Sequence, residues 1–347
     1  MYRILTILLL TTLAVNVSAQ EYPYNKEEWW NRLVLEKNYK TDLVQTDTSI
    51  IVVTNRFLTK DSLRFMSEVR GNGDLLYFFV YAHNGRWHVL QVNDLAKAIS
   101  LVPHKHKDWV VYTEGMGKIF TSEVNRGMMM ASQHGVNVIM LDYPSITTTK
   151  KTLGNYLFAI KNARHCYEDY VPALQTIQAN KLTGKMGHGN LSLFFHSMGN
   201  YLIRQTAKKD QLAQLNRVVW VDNIIMNAPC VPQAGHAKWL NKIAFAENIY
   251  IQYNPEDRTL YWPELINKKK QLGRRLRGPL SSKAHYVNFN GLVGQEHSYF
   301  ITLHDHKQVD KEVWEYYNTI LHGRPVDFNH GKYTTSSYNG IGYEMIP

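Results

Sequence analysis

Residues 191–200 constrain the fold of this chain more than any other segment. The apolar run LSLFF ends in the turn HSMG at 196–199, and a helix-like stretch follows at once. Strand, serine, glycine and helix in this order are typical of a nucleophile elbow, a tight turn that lifts one hydroxyl out of a sheet. The helix N-terminus behind the turn leaves backbone N–H groups free to hold an anion. Ser197 is therefore the candidate nucleophile, although the usual motif G-x-S-x-G has glycine where this chain has Phe195.

Further apolar runs alternate with helical stretches along the rest of the chain. We predict strands at 51–54, 109–112, 136–141, 191–195, 218–226, 248–253 and 285–289, the last of these being the final strand. We predict helices at 121–134, 153–179, 200–215 and 308–321. Continuous apolar strands that alternate with helices indicate an α/β fold with a mostly parallel central sheet and helices on both faces.

Three parts are predicted along the chain. Residues 1–19 have a basic start, an apolar stretch and a small-x-small site, which is the pattern of a signal peptide and predicts a periplasmic or secreted protein. A membrane anchor is the alternative, which the short apolar stretch disfavours. Residues 20–104 are predicted as an N-terminal extension, in which the turn at 83–85 indicates a β-hairpin and added antiparallel strands. Residues 105–347 are the α/β catalytic domain, with a basic cap-like insertion at about 258–284.

The charge and the cysteines restrict the partners and cofactors of the chain. The formal net charge is +10, and much of the excess lies in KKK and RRLR within 268–277. This segment is either a solvated loop or a peripheral contact with anionic surfaces, and export argues against nucleic acid as the partner. Cys166 and Cys230 do not make a disulfide framework and either pair or stay buried as thiols. We expect no metal and no cofactor, because the pair His304 and His306 has no evident third ligand.

A nucleophilic serine needs a base, and the base needs an orienting acid. Asp257 follows the strand at 248–253, and His297 follows the strand at 285–289. Because the carboxyl ends of parallel strands meet at one sheet edge, we expect both to lie near Ser197. His297 would take and return the serine proton, and Asp257 would hold the imidazole tautomer. The alternatives are Glu256 and Asp222 for the acid, and His285, His304 and His306 for the base; His196 is expected to pack rather than to act as the base.

The oxyanion of an acyl-transfer reaction needs fixed hydrogen-bond donors. The N–H of Met198 is one candidate, because this residue follows the nucleophile. The second is Met116, which lies between Gly115 and Gly117 in the loop after the strand at 109–112. Two flanking glycines let the backbone approach a substrate closely. Loss of one such donor typically raises the barrier by roughly 3 kcal/mol.

Taken together, these motifs resemble those of the α/β-hydrolase superfamily over about 105–322. They are most similar to a bacterial branch with an x-His-Ser-Met-Gly elbow. The matching residues are those of the glycine loop at 114–117, the segment DYPS at 142–145, the elbow at 196–200, the segment DRTL at 257–260 and the segment HSY at 297–299. In such enzymes a histidine often stands where this chain has Glu114, so the glycine loop is expected to be held differently.

The resemblance implies a Ser-Asp-His triad and an acyl-enzyme intermediate. It implies an esterase or lipase-like hydrolase that acts on a small-molecule or lipid-like carboxylic ester. Two alternatives stay open at this point. One is a non-catalytic binding or scaffold protein on a hydrolase fold, which the basic segment at 268–277 and the added N-terminal strands suggest. The other is an amidase or peptidase with the same triad.

Overall fold

The computed structural model describes residues 23–37, 48–303, 308–335 and 342–346. Their strands are β1 (Leu33–Glu36), β2 (Ser49–Thr54), β3 (Arg56–Leu58), β4 (Met66–Arg70), β5 (Leu76–His83), β6 (Arg86–Val92), β7 (Trp109–Thr113), β8 (Asn137–Asp142), β9 (Leu191–His196), β10 (Val221–Asn227), β11 (Ala246–Tyr253), β12 (His285–Asn288), β13 (Tyr333–Thr335) and β14 (Gly342–Met345). Their α-helices are α1 (Glu27–Trp30), α2 (Leu95–Leu101), α3 (Phe120–His134), α4 (Thr152–Leu182), α5 (Tyr201–Lys208), α6 (His236–Leu240), α7 (Arg258–Asn267) and α8 (Lys311–Leu321). The predicted signal peptide at 1–19 lies outside the described residues.

Twelve of the described strands form one sheet, in the order β1-β6-β5-β2-β8-β7-β9-β10-β11-β12-β14-β13. All neighbours from β2 to β14 in this order pair in parallel. Antiparallel pairs join β5 to both β2 and β6, and β13 to β14. β3 and β4 form a separate antiparallel pair. The predicted α/β class, with a mostly parallel sheet and antiparallel strands near the N-terminus, is confirmed.

Both faces of this sheet are buried, which explains why its strands are apolar along their whole length. On β2, Ile51 and Val53 belong to the core under α2, α4 and α5, whereas Ile50 and Val52 belong to the core under α3 and α8. Successive side chains of a strand point to opposite faces, so a strand with two covered faces shows no polar alternation. Because helices cover both faces, the carboxyl ends of the strands form the open edge of the sheet, and the polar loops lie there.

Glycine and proline both commonly end helices, but of Gly135 and Pro172 only Gly135 does so here. Gly135 ends α3 in the left-handed conformation (φ 68°), and its N–H donates to the carbonyl of Ala131 at 3.0 Å. Only glycine adopts this conformation without steric penalty. Pro172 lies within α4 without ending it. The described part of the chain contains no helix with both the length and the hydropathy to cross a bilayer.

Two predicted element bounds are wrong near the elbow. The helix after the elbow ends at Lys208 instead of about 215, because Asp210 adopts the left-handed conformation (φ 55°) and breaks it. β10 begins at Val221 instead of 218. Val218 and Val219 are about half exposed, so their apolar character does not reflect burial in the sheet.

The sheet also extends further than predicted at its C-terminal end. β12 is not the final strand, because β14 pairs with it in parallel and β13 then pairs with β14. These two strands are short and contain many polar residues, so they lack the apolar run on which strand prediction depends.

At the N-terminal end, the predicted hairpin is formed by β5 and β6, with Asn84 (φ 49°) and Gly85 (φ 73°) in its turn. β1, β2, β5 and β6 are hydrogen-bonded into the main sheet. The domain boundary at 104 stays a prediction. Cys166 and Cys230 are both buried as free thiols, and burial raises the pKa of Cys230 to about 12.

Candidate active site

The turn after β9 holds Ser197 in a strained backbone conformation. Ser197 has φ of 50° and begins a short 3-10 helix at the carboxyl end of the strand. A left-handed conformation at a residue other than glycine costs about 1–3 kcal/mol and persists only where neighbouring contacts enforce it. Those contacts are present: Asn200 Nδ2 donates to the carbonyls of Phe195 (2.9 Å) and Ser197 (3.0 Å). The N–H of Cys230 also donates to the Ser197 carbonyl at 3.0 Å.

Two glycines allow the elbow to pack directly against the end of β7. A Cβ atom on Gly199 would lie 2.4 Å from the carbonyl oxygen of Thr113, and one on Gly115 would lie 2.7 Å from the Ser197 Cβ. Neither position can hold a larger residue without a backbone shift. Phe195, which occupies the place of the first glycine in the usual motif, is instead fully buried in the core. Strand β9 therefore has room for a large side chain at this position.

Asp257 and His297 form a close pair at the same edge of the sheet. His297 Nδ1 lies 2.6 Å from Asp257 Oδ2, while Asp257 Oδ1 accepts the N–H of Leu260 at 2.9 Å as the N-cap of α7. Asp257 is fully buried, and the His297 side chain is 13% exposed. With Nδ1–H donated to the carboxylate, Nε2 of His297 carries the lone pair that a general base needs.

Two residues that were not predicted hold this pair in place. Asn254 Nδ2 donates to the carbonyl of Gly294 at 2.7 Å, which joins the loop of Asp257 to the loop of His297. Arg274 Nε donates to the Asp257 carbonyl at 3.1 Å, and its Nη1 lies 2.8 Å from Glu264. Arg274 belongs to the basic segment at 268–277, and its guanidinium lies against the loop of Asp257.

Ser197 and His297 lie at the same edge of the sheet but are not hydrogen-bonded to each other. Within the described ranges, no hydrogen bond joins Ser197 Oγ to His297. The ring of His196, the residue before the serine, lies 4.7 Å from the ring of His297 between centroids, and its Nε2 is 3.3 Å from the His297 carbonyl oxygen. Catalytic hydrogen bonds are often long in unliganded enzymes and tighten when substrate binds.

A second histidine–carboxylate pair lies beside the first and is more deeply buried. The carboxylate of Glu114 accepts hydrogen bonds from His196 Nδ1 and from the Tyr112 hydroxyl. It also accepts the N–H of Gly115 at 2.8 Å and lies 3.4 Å from Arg126 Nε. Glu114 therefore anchors both the ring next to the nucleophile and the first glycine of the loop, which explains how this chain does without a histidine at that position.

Burial and neighbouring charges fix the protonation states of this pair. Burial opposes ionisation of Glu114, but His196, Lys118 and Arg126 together outweigh it and hold the pKa of Glu114 well below its usual value. Burial lowers the pKa of His196 to about 4, although the Glu114 carboxylate favours its charged form. Glu114 is therefore ionised at neutral pH, and its carboxylate accepts the Nδ1–H of His196.

The backbone N–H groups of the two predicted oxyanion donors, Met116 and Met198, are not used in the surrounding part of the backbone that the structure describes. The N–H of Met116 has no acceptor within hydrogen-bonding distance among the described residues. Met198 is the second residue of a 3-10 helix, where the first N–H groups have no partner inside the helix. Ser145 makes two hydrogen bonds to the glycine loop and the residue after it. Its Oγ accepts the N–H of Lys118 at 2.9 Å, and its carbonyl oxygen accepts the N–H of Gly117 at 3.3 Å.

The alternative acids and bases lie elsewhere or make other contacts. Asp222 accepts the N–H that begins β9 at 2.7 Å, which places it at the amino end of the strands. His285 begins β12 at that same end, and Glu256 is exposed. His304 and His306 lie outside the described residues. Among the residues that are described, no three histidine, cysteine or acidic side chains are grouped as metal ligands.

Comparison with known proteins gives one match. A family model described as "Alpha/beta hydrolase of unknown function (DUF900)" matches residues 92–284, which is more than half of the chain. The matched span contains β7 to β11, the glycine loop, Ser197 and Asp257, and His297 lies beyond its end. A search of curated proteins found no match to the chain.

Proposed function

Because the chain belongs to the DUF900 family of α/β hydrolases, we propose that it is a serine hydrolase that cleaves carboxylic esters. The observation that carries this proposal is the His297–Asp257 pair, with 2.6 Å between Nδ1 and Oδ2, at the sheet edge that also bears Ser197. A strained serine and a buried carboxylate both lower stability, so their occurrence together supports a catalytic role.

The proposed reaction proceeds through two tetrahedral intermediates. Ser197 Oγ attacks the ester carbonyl carbon while His297 Nε2 takes the hydroxyl proton, and the carbonyl oxygen becomes an oxyanion. The N–H groups of Met116 and Met198 donate to that oxygen. His297 then gives the proton to the leaving alkoxide, which departs as an alcohol and leaves an acyl-enzyme. Water attacks the acyl-enzyme in the same way, and the carboxylic acid leaves as Ser197 recovers its proton.

The surroundings of Ser197 favour an uncharged acyl group. Met198 and Tyr201 on the elbow belong to the same apolar core as Tyr143 and Tyr156, and Met116 packs against that core. An apolar wall binds an acyl chain through burial of about 25 cal/mol per Å² of surface and offers no partner for a charged substrate. A lipid-like or small apolar ester fits this wall best.

The test is covalent labelling followed by kinetics. Wild-type protein should react with a fluorophosphonate probe at Ser197, as located by peptide mass spectrometry, and should hydrolyse p-nitrophenyl esters. Ser197→Ala should lose both properties while it keeps the wild-type melting temperature. Ser100→Ala, an exposed serine on α2, serves as the matched control and should retain both. Labelling or turnover that survives in Ser197→Ala would mean that another residue is the nucleophile.

A second candidate function is a binding protein on a hydrolase fold without catalysis. The observation in its favour is that no hydrogen bond joins Ser197 to His297 in the described part of the chain. Folded wild-type protein that neither reacts with the probe nor turns over esters would support this alternative. An amidase or peptidase with the same residues is separated from an esterase by parallel panels of ester and peptide substrates.

Export to the periplasm or the medium is part of the same proposal. Its support is the basic and apolar start of residues 1–19 and the Val17-Ser18-Ala19 site before Gln20. Cell fractionation and N-terminal sequencing of the recovered protein test it. A mature chain that begins at Gln20 is the expected result, whereas an intact Met1 in the cytoplasm would overturn it.

A further inference from the structure

One surface of the molecule exposes large apolar side chains close to the candidate site. We name it the α4/α7 face, formed by Leu153 and Leu157 on α4 and by Trp262, Leu265 and Ile266 on α7. Trp262 is 65% exposed and Leu153 is 57% exposed. The spacings i, i+4 on α4 and i, i+3, i+4 on α7 give each helix one apolar stripe. Contiguous exposed apolar surface of this kind usually marks a binding surface.

The two stripes are joined by a direct contact between the helices. The side-chain amide of Asn267, at the end of α7, donates to the hydroxyl of Tyr156 on α4. Tyr156 lies one residue before Leu157, so the C-terminal end of α7 sits against the segment of α4 that carries the apolar stripe. The C-terminal end of the α7 stripe therefore lies beside the α4 stripe.

A basic pocket continues this surface. It has a volume of about 470 Å³, and its lining includes five cationic side chains and, among the described residues, no acidic one. The five are Arg164, Arg204, Lys208, Lys209 and Lys269. Arg164 lies seven residues after Leu157, two helical turns along the same side of α4. Asn267 and Lys269 also line the pocket, so it opens at the end of α7.

The cations of this pocket repel one another instead of being neutralised. The pKa of Lys208 is lowered first by the charge of Arg204, and then by desolvation and by Lys209 and Lys269. Burial and the charge of Arg164 likewise lower the pKa of Arg204. The acid within α7, Glu264, is buried and paired with Arg274 and does not offset them. The pocket therefore gains stability when an anion enters it.

We propose that the α4/α7 face docks on an anionic lipid bilayer, with its apolar side chains in the interface and lipid phosphates in the basic pocket. An apolar surface beside cations matches a membrane surface in both polarity and charge. The exposed Lys150, Lys151 and Lys268 add positive charge at the ends of the two apolar stripes, while Glu256 is the exposed acid next to α7. Because α7 begins directly after Asp257, docking brings the candidate site to the lipid surface, a consequence that rests on the proposed function.

The experiment measures co-sedimentation of full-length mature protein with lipid vesicles. Vesicles that contain phosphatidylglycerol should bind the protein, and pure phosphatidylcholine vesicles should bind it at least tenfold more weakly. Lys208→Gln with Lys269→Gln should weaken binding by about fivefold per removed cation, the equivalent of about 1 kcal/mol each. Trp262→Ser should weaken binding at least tenfold, because a tryptophan contributes a large amphipathic surface to an interface.

The controls are exposed residues of the same types far from this face. Leu182→Ser, at the other end of α4, and Lys185→Gln with Lys311→Gln, of which Lys311 lies on α8 over the opposite face of the sheet, should bind as the wild type does. Ser197→Ala should also bind fully, so a failure of the catalytic proposal would leave this one standing. Equal binding to both vesicle types, or equal loss in the controls, would overturn the proposal. Saturable binding of inorganic phosphate without any vesicle binding would overturn it in favour of a soluble anion.

Discussion

Two histidine–carboxylate pairs lie side by side in this molecule, with their imidazole centroids 4.7 Å apart. In the pair His297–Asp257, the carboxylate is buried and the imidazole is 13% exposed. In the pair His196–Glu114, the imidazole is only 3% exposed and the carboxylate is fully buried. In the first pair, Nε2 of His297 makes no hydrogen bond to another described residue. The second points its remaining ring nitrogen at a backbone carbonyl.

The difference teaches that a histidine beside an acid is not enough to make a general base. A base must reach the proton that it removes, and it must change charge during the reaction. Burial lowers the pKa of His196 to about 4, so protonation of this ring during turnover would be unfavourable. Because Glu114 also accepts the N–H of Gly115, we propose that His196 is a positioning residue for the glycine loop and the elbow. The following predictions test this division of roles.

The largest contrast is expected between the two histidines. His297→Ala should lower kcat for a p-nitrophenyl ester by about 10⁶-fold, because proton transfer from the serine is lost. The substitution also leaves the buried Asp257 carboxylate without its imidazole partner, so the free energy of unfolding should fall by about 1–3 kcal/mol. His196→Ala should instead retain most of the activity of whatever protein remains folded. Ester kinetics and urea unfolding on both variants measure the contrast, and a greater loss of kcat in His196→Ala would reverse the assignment.

Asp257→Asn should have the next largest effect on catalysis. The amide keeps the shape of the side chain but cannot hold the His297 tautomer or stabilise its positive charge, so kcat should fall by about 10⁴-fold. Glu256→Gln changes the neighbouring exposed acid and is the matched control, with kcat within a factor of about 2 of the wild type. Steady-state kinetics measure kcat for both variants. A fall in kcat for Glu256→Gln with full activity in Asp257→Asn would make Glu256 the orienting acid instead of Asp257.

Glu114→Gln should affect stability more than chemistry. The substitution leaves Arg126 buried without its carboxylate partner and weakens the bond to His196, which should lower the free energy of unfolding by about 3–5 kcal/mol. The glycine loop loses its anchor at Gly115, so kcat should fall by about tenfold, less than the loss of a full oxyanion donor. Denaturant unfolding and kinetics on the same sample test both effects. Wild-type stability in this variant would mean that the buried pair does not hold the loop.

The same buried pair predicts how stability depends on pH. The folded-state pKa of His196 is lowered from 6.5 to about 4, so the unfolded chain binds a proton in this window and the folded chain does not. His196 therefore contributes about 3 kcal/mol to the free energy of unfolding above pH 6.5, and this contribution is lost as the pH falls to about 4. His134 is also buried with a pKa of about 4. Burial also lowers the pKa of His236 and of His285. His196→Gln should therefore remove part of the slope of stability between these pH values, and an unchanged slope in urea unfolding would contradict this prediction.

The sequence alone could predict those residues whose position in the fold follows from the order of strands and loops along the chain. Ser197, Asp257 and His297 each follow an apolar run, and parallel strands place the residues after such runs at one edge. The pair Glu114–His196 could not be predicted in this way. Thr113 on β7 is in register with Phe195 on β9. The residues that follow them, Glu114 and His196, therefore lie side by side. Register between strands distant in sequence is set by packing of the whole sheet.

The side chains that hold the loops of the site could not be predicted from the sequence, for a related reason. Asn254 and Arg274 act on backbone carbonyls of residues 40 and 17 positions away in the sequence. Polar residues in a loop have the same composition whether they face solvent or bind another loop, so the basic segment at 268–277 gave no sign that one of its arginines points inward. The short β13 and β14 were missed because few of their residues are buried.

The smallest effect is expected at Glu123, a buried acid that takes no part in either pair. Neither of its carboxylate oxygens has a hydrogen-bond partner among the described residues. Burial, and then repulsion from Asp142 and Glu114, raise its pKa well above 4.5, so the folded chain retains a proton that the unfolded chain releases. Its contribution to stability is present below pH 4.5 and is lost as the pH rises through the folded-state pKa.

Glu123→Gln replaces the protonated acid by a neutral group of the same shape. The variant should be more stable than the wild type at pH 8, and the free energies of unfolding of the two should converge near pH 4. Urea unfolding across this range measures the difference, with exposed Glu247→Gln as the control. A variant that is less stable at pH 8 would show that Glu123 is ionised and paired in the folded protein. It would then belong to the same buried network as Glu114, and the comparison between the two pairs would have to include a third carboxylate.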